Sequence, residues 1–165
     1  MATVIVIGAG VAGIPAALEI RKAVRKEDRV LVIADTPTFH FTPSNPWVAV
    51  GRRTPEQIKV PLAKMFRKRK IDFLEQAVKR VQPAERKLEM ADGSFQAYDY
   101  LVIATGPRLA FDEIPGFGPG GFTHSVCHVD HADETNTAWQ QFLANPGPIL
   151  VGAVQGASCF GPAYE

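Results

Sequence analysis

Long apolar runs are missing from this sequence. No stretch approaches the length that a membrane-spanning helix needs. No secretory leader is expected either, because the fold is expected to start at residue 3 or 4. Cysteine is scarce. Cys127 and Cys159 are the only two, and they lie far apart, which excludes a disulfide-rich scaffold and a zinc-ligand pattern, so no metal site is expected. Charge excess is also absent: a net charge of +1 leaves no global electrostatic case for nucleic acid or acidic lipid. The basic run Arg67-Lys68-Arg69-Lys70 reads as the solvated end of a helix, where cations complement the dipole. What is present is an ordinary globular balance, 46% apolar and 21% charged over 165 residues, enough for one domain with a core.

Against that background one stretch stands out, Val4-Ile5-Val6-Ile7-Gly8-Ala9-Gly10-Val11-Ala12-Gly13. Four apolar, mostly β-branched residues predict a buried strand. Three glycines follow at the spacing G-x-G-x-x-G, and Ala16, Ala17, Leu18 and Ile20 then open an apolar-faced helix. This is the sequence form of a dinucleotide-binding strand–turn–helix. Gly8 permits the tight turn, Gly10 lets a pyrophosphate approach the backbone, and Gly13 lets helix and strand pack closely. The helix N-terminus offers free N–H groups and roughly half a positive charge to phosphates.

The helix is expected from Val11 to Val24. A second strand, Val30–Ala34, ends at Asp35, about twenty residues past the glycines, where a carboxylate takes adenosine ribose hydroxyls. The alternative for Asp35 is a plain turn former before Thr36-Pro37. The stretch from Phe39 to Gly51 is too polar for a strand and rich in aromatics and proline. It reads either as a rigid ligand-binding loop or as a packed surface loop, with Pro46 opening a short helix through Val50. Thr54-Pro55-Glu56-Gln57 reads as a helical turn start, interrupted at Val60-Pro61. A helix over 62–70 and a strand over 71–75 follow. Residues 77–81, 87–90 and 94–98 read as an antiparallel meander, with Asp92-Gly93 as hairpin turn. Tyr100–Ala104 is another buried strand, closed by Thr105-Gly106-Pro107. The glycine- and proline-rich stretch from Arg108 to Gly121 reads as a linker. A helix over 132–143, capped by Asp130, and a new buried strand at Pro148–Val151 complete the expectations.

A second turn, Gly152-Ala153-Val154-Gln155-Gly156-Ala157, follows that strand. Val154 and Ala157 stand where a second fingerprint would carry glycines, and Val154 puts a β-branched side chain in a pyrophosphate's path. Nicotinamide dinucleotide binding is therefore disfavoured there. Cys159 falls near the N-terminus of the next expected helix, where the dipole favours thiolate, and a thiolate can attack sulfur or a flavin ring. Its other reading is a small buried hydrophobe. Cys127 has His128 and His131 as neighbours. Both histidines are open to a proton-handling or a structural reading.

A dinucleotide fold that inserts an antiparallel meander and then ends a strand in Ala104-Thr105-Gly106 resembles the two-dinucleotide-domain flavoproteins, the disulfide-reductase-like group. The resemblance implies FAD in the N-terminal fingerprint. Within that group, Phe41-Thr42-Pro43-Ser44-Asn45-Pro46-Trp47-Val48-Ala49-Val50-Gly51, Ala104-Thr105-Gly106-Pro107, Ser125-Val126-Cys127 with His131-Ala132, and Gly156-Ala157-Ser158-Cys159-Phe160-Gly161-Pro162-Ala163-Tyr164-Glu165 resemble sulfide:quinone oxidoreductase. That resemblance implies a flavoenzyme on a membrane surface that oxidises sulfide to polysulfide or sulfur and reduces quinone. It further implies that Cys159 is one of a redox cysteine pair, that Cys127 is a third cysteine, covalently bonded to FAD in some members, that His131 is catalytic, and that Glu165 lies near the sulfide side. Gly8, Gly10, Gly13, Asp35, Thr42, Pro43, Val78, Thr105 and Gly106 fall where the family holds FAD, although many relatives carry Glu in place of Asp35.

Members of that family are more than twice as long. The resemblance therefore implies an N-terminal piece, without the second redox cysteine, the quinone pocket, the return segment of the FAD domain or the membrane-binding helices. The expected architecture is α/β. Residues 1–110 form a Rossmann-like FAD-binding domain with a parallel sheet and an inserted antiparallel meander, 111–122 a linker, and 123–165 the start of a second Rossmann-like domain. The piece alone is expected to be soluble and inactive, and the full-length protein peripheral on the cytoplasmic membrane; a homo-oligomer is left open. The flavoprotein subunit of flavocytochrome c sulfide dehydrogenase, type II NADH:quinone oxidoreductase and an inactive nucleotide-binding fragment are the alternatives.

Overall fold

The structure is a computed structural model and describes residues 1–154. In chain order it contains β1 (Thr3–Ile7), α1 (Gly13–Ala23), β2 (Arg29–Ala34), β3 (Thr38–His40), α2 (Asn45–Ala49), β4 (Lys59–Pro61) and α3 (Leu62–Arg67). Then follow β5 (Asp72–Glu75), β6 (Val78–Gln82), β7 (Lys87–Met90), β8 (Phe95–Ala97), β9 (Tyr100–Ile103) and α4 (Val129–Ala144). Contacts divide the chain into two compact units. The first takes residues 1–39 and 60–108, the second residues 40–59 and 109 onward. Residues 40–59, which the sequence reading groups with 1–110, thus share contacts with the later part of the chain.

The first unit is built on a parallel sheet of order β5-β2-β1-β9. Val4 pairs with Val30 on one side and Tyr100 on the other, and Leu31 with Asp72. Both faces of the sheet are covered, which is why its central strands are continuous apolar runs. Alternation sorts their side chains. Val6, Val30 and Val32 pack against Ala17 of α1, Leu62 and Phe66 of α3, and Ile71. Ile5, Ile7, Leu31 and Ile33 point the other way, onto Leu88 and Met90 of β7. Each of these buried side chains other than Ala17 contributes about 1.5–3 kcal/mol. The meander β6-β7-β8 is antiparallel. Its Asp92-Gly93 turn is closed by the Asp92 carboxylate, which accepts the Ser94 N–H at 2.9 Å. The layers are therefore helices, parallel sheet, meander.

In the second unit, α2 and α4 pack through Val48, Ala49, Val129 and Ala132, with Ile58 beside them. The Asn136 amide donates to Ala49 O at 3.1 Å and the Asn45 amide to Val126 O at 3.0 Å. Pro46 stands in the first turn of α2, as expected.

Several elements differ from the sequence reading. Thr38–His40 is a short strand that overlaps the start of the stretch read as too polar for one. Residues 55–58, by contrast, form a 3-10 turn at the helical turn start expected there, with Gln57 Oε1 accepting the Thr54 N–H at 2.9 Å. The stretch read as a linker folds on itself: the Phe111 and Phe117 rings lie 5.7 Å apart and Gly118 N donates to Thr123 Oγ1 at 2.7 Å. Helix α4 begins at Val129, capped by His128 rather than Asp130; the His128 ring accepts from the Asp130 N–H. Pro148–Val151 is not a strand, and Leu150 is fully exposed. A strand needs a hydrogen-bonded neighbour, and among the described residues this run has none.

The start of β1 is pinned by Asp28. Its carboxylate accepts the Ala2 N–H at 2.8 Å and the Arg25 guanidinium at 3.0 and 3.1 Å, while Ala2 O accepts from Arg29 N at 2.8 Å. The Arg25 guanidinium, and after it the Ala2 N–H, hold the Asp28 carboxyl far below the usual carboxylate range. A depressed native value means stability that is full above about pH 4 and lost as pH falls further. Asp28→Asn is expected to lower the melting temperature at pH 7 and to flatten its fall below pH 4; thermal melts from pH 2.5 to 7 check both.

Candidate functional site

The carboxyl ends of β1, β2 and β9 lie side by side, and β1 and β9 flank the point where the strand order reverses. In open α/β sheets that point is the ligand crevice. Three backbone segments line it. Gly8 follows β1 at φ +97°, a conformation that favours glycine, and its N–H donates to Ile33 O at 2.8 Å. A Cβ on Gly8 would meet Ala104 O at 2.2 Å, and one on Gly13 would meet Gly8 O at 1.9 Å. Both glycines are therefore required by backbone packing. Gly10 differs, since a Cβ there would meet nothing within 4 Å. The free space next to Gly10 lies at the N-terminal end of α1, whose first turn carries no acid and no side-chain cap. This leaves N–H groups and the positive end of the dipole available to an anion.

Asp35 is exposed one residue past β2, and Thr105 and Gly106 are exposed past β9, Gly106 at φ +76°. Val78 opens β6 opposite Met90, with its side chain against the core layer under the meander. These residues all belong to the first unit, as do the three glycines.

Thr42 and Pro43 lie in the second unit, exposed on a 3-10 turn at Thr42–Ser44 that leads into α2. Cys127 is exposed in the same unit, two residues before α4, and its N–H donates to Ser125 Oγ at 3.1 Å. His131 sits in the first turn of α4. Its ring meets Phe111 edge-on at 5.5 Å and His128 at 5.6 Å, and its Nδ1 is buried without a partner among the described residues. Cys159 and Glu165 lie outside the described residues.

The sequence reading gave no role to His40 or Asn45. His40 ends β3 with Nε2 buried; Asn45 is 1% exposed; among the described residues neither His40 Nε2 nor Asn45 Oδ1 has a partner. Burial lowers the His40 pKa, and the Lys59 and His128 charges lower it further. The sequence signal was present, a histidine directly before Phe41-Thr42-Pro43, but its burial was not readable there. Among the described residues no three His, Cys, Asp or Glu side chains are grouped to hold a metal ion.

The fold and crevice define a dinucleotide-binding α/β protein. Residues 2–159 match the family model described as pyridine nucleotide-disulphide oxidoreductase, and the chain belongs to that family. It is similar to the sulfide-quinone reductase of Aquifex aeolicus, at 42% identity over 98% of this chain and 37% of that protein. The X-ray structure of the sulfide:quinone oxidoreductase from Aquifex aeolicus superposes with a TM-score of 0.91 at 41% identity, covering 99% of this chain and 37% of that one. Type II NADH:quinone oxidoreductase of Staphylococcus aureus is 26% identical over 62% of this chain and 26% of that protein. The chain thus spans little more than a third of the length of its Aquifex relative.

Two expected outcomes follow from this geometry. Gly13→Ala should cost more than about 1 kcal/mol and Gly10→Ala less than about 0.5 kcal/mol, read from denaturant midpoints. His40 accepts a proton less readily when folded than when unfolded, so stability falls as pH drops below about 6.5. His40→Gln should reduce that fall between pH 7 and 5, measured by thermal melts.

Proposed function

We propose that the chain is the N-terminal part of an FAD-dependent enzyme that oxidises sulfide to polysulfide or sulfur and reduces a quinone. The observation that carries this reading is the 42% identity to the Aquifex sulfide-quinone reductase across 98% of the chain. Residues 1–110 are then the FAD domain, 111–122 its connector, and 123–165 the start of a second dinucleotide domain. Pro148–Val151 gains ladder partners from chain beyond this one.

The residues present fit FAD. The open space at Gly10 and the uncapped, acid-free start of α1 suit a pyrophosphate. The exposed Asp35 carboxylate suits ribose hydroxyls. When bound, FAD supplies a two-electron carrier between the sulfur chemistry and the quinone. Thr42, Pro43, Val78, Thr105 and Gly106 complete its binding set in this reading. Cys159 is one member of the redox cysteine pair beside the flavin, His131 is catalytic, Glu165 lies near the sulfide side, and Cys127 either stays a free thiol or bonds to the flavin. Release or retention of flavin on acid denaturation distinguishes those two states.

The full-length protein binds the inner membrane surface through segments outside this chain. No helix among the described residues is long and apolar enough to cross a membrane. Val154 argues against NADH as donor.

The test uses the complete protein, anaerobic, with its flavin spectrum recorded. Sulfide should bleach the flavin and a soluble quinone restore it. Cys159→Ser should slow bleaching by on the order of a hundredfold or more, and Gly10→Ala should lower flavin content. Bleaching by NADH and not by sulfide overturns the reading in favour of an NADH:quinone oxidoreductase.

A further inference from the structure

The first unit carries a concentration of charge that the proposed reaction does not use. Lys64, Arg67, Lys68, Arg69 and Lys70 fall within seven residues at the C-terminal end of α3, and all five are exposed. Among the described residues none of the five side chains has an ion pair or a hydrogen bond. Other cations of the unit do: Arg25 has Asp28, Arg29 has Asp72 and Lys79 has Glu89. In a chain of net charge +1, five unopposed cations make a local field without a global one.

The backbone under this cluster is unusual. Ile71 N–H donates to Phe66 O at 3.1 Å and Lys70 N–H to Arg67 O at 3.2 Å, the bonds of a Schellman turn, with Lys70 at its left-handed position, φ +58°. Glycine is the usual residue there, because a Cβ is strained in that conformation. A lysine in its place keeps a charge at a cost in stability, and such strain gathers at functional places. Between the end of α3 and the start of β5 lies a groove of about 390 Å³, lined by Ala63, Arg67, Lys70, Ile71, Asp72 and Phe73. Asp72 is the one carboxylate among these, and it already accepts from Arg29 Nε at 2.8 Å. The groove therefore joins two unpaired cations to an apolar wall.

We propose that this basic edge of the first unit binds the surface of an anionic phospholipid bilayer, with Arg67 and Lys70 taking a headgroup phosphate and Ala63 and Phe73 meeting the lipid below it. A row of exposed cations with no matching carboxylates suits a plane of phosphates. The apolar wall suits lipid better than a free phosphate ion or a nucleic-acid backbone. The choice of a bilayer rests on the function proposed above, since a quinone is held in one. The contact is made by this chain itself, in addition to those assigned to segments outside it.

Partition of the complete protein onto two kinds of vesicle tests the proposal: phosphatidylcholine alone, and phosphatidylcholine with about a quarter phosphatidylglycerol. The ratio of the two partition coefficients cancels apolar anchoring by other segments and reads the charge contribution. It should exceed about tenfold at low salt and shrink toward one at about 0.5 M salt. Lys70→Gly should lower it about two- to fivefold while keeping or raising the melting temperature, so a folding defect cannot account for the loss. Arg67→Gln, Lys68→Gln and Arg69→Gln together should lower it about tenfold or more. A wild-type ratio in that triple variant overturns the proposal, whatever Lys70→Gly does. Displacement from the vesicles by inorganic phosphate at constant ionic strength overturns the bilayer in favour of a single-anion site. Bleaching by sulfide and recovery with a soluble quinone should match wild type in both variants. If sulfide fails to bleach the wild type, the functional reading fails, while the vesicle ratio still decides the basic edge.

Discussion

The first unit depends on one close approach of three backbone segments. The turn after β1, the start of α1 and the end of β9 come so near that a single methyl group on Gly8 or Gly13 would overlap a carbonyl oxygen. Packing energy elsewhere in the unit is spread over many side chains, and one small loss in it can relax. A backbone-to-backbone contact cannot relax, because neither partner has a rotamer to change. This contact fixes where α1 begins, and so where its unbonded N–H groups point. It also sets β9 beside β1 and puts the Ala104-Thr105-Gly106 segment at the mouth of the crevice.

The layering follows from sheet alternation. Residues 4–7 and 30–33 are apolar without a break because one set faces the helices and the other the meander. A sheet with one wet face would need alternating polar residues. The meander is therefore the second lid of a parallel sheet rather than an ornament, and Leu88 and Met90 are as deeply buried as Ile5. The second unit works differently. Its small core of Val48, Ala49, Ile58, Val129 and Ala132 is joined by side-chain amides bonded to carbonyls. In the same unit Nε2 of His40 and Nδ1 of His131 are buried without a partner among the described residues.

Much of this was legible in the sequence. The glycine spacing, the apolar runs, the Asp92-Gly93 hairpin and the Pro46 helix start rest on local backbone rules that act within a few residues. Pro148–Val151 was not legible: a run of that composition is a strand only when a neighbour completes its ladder. The cap of α4 was missed because His128 and Asp130 are both able to accept a hydrogen bond, and side-chain geometry chose between them.

Local spacing alone thus determined the dinucleotide turn and the first two strands of the sheet, because each depends on contacts between near neighbours, while the family was legible only through the resemblance of longer motifs. Tertiary structure alone decided that Gly8 and Gly13 are demanded by packing while Gly10 leaves open space. It alone grouped residues 40–59 with the later chain and buried Nε2 of His40. Those facts depend on which distant segments meet, and a histidine's chemistry is set by the neighbours that burial gives it rather than by its place in the chain.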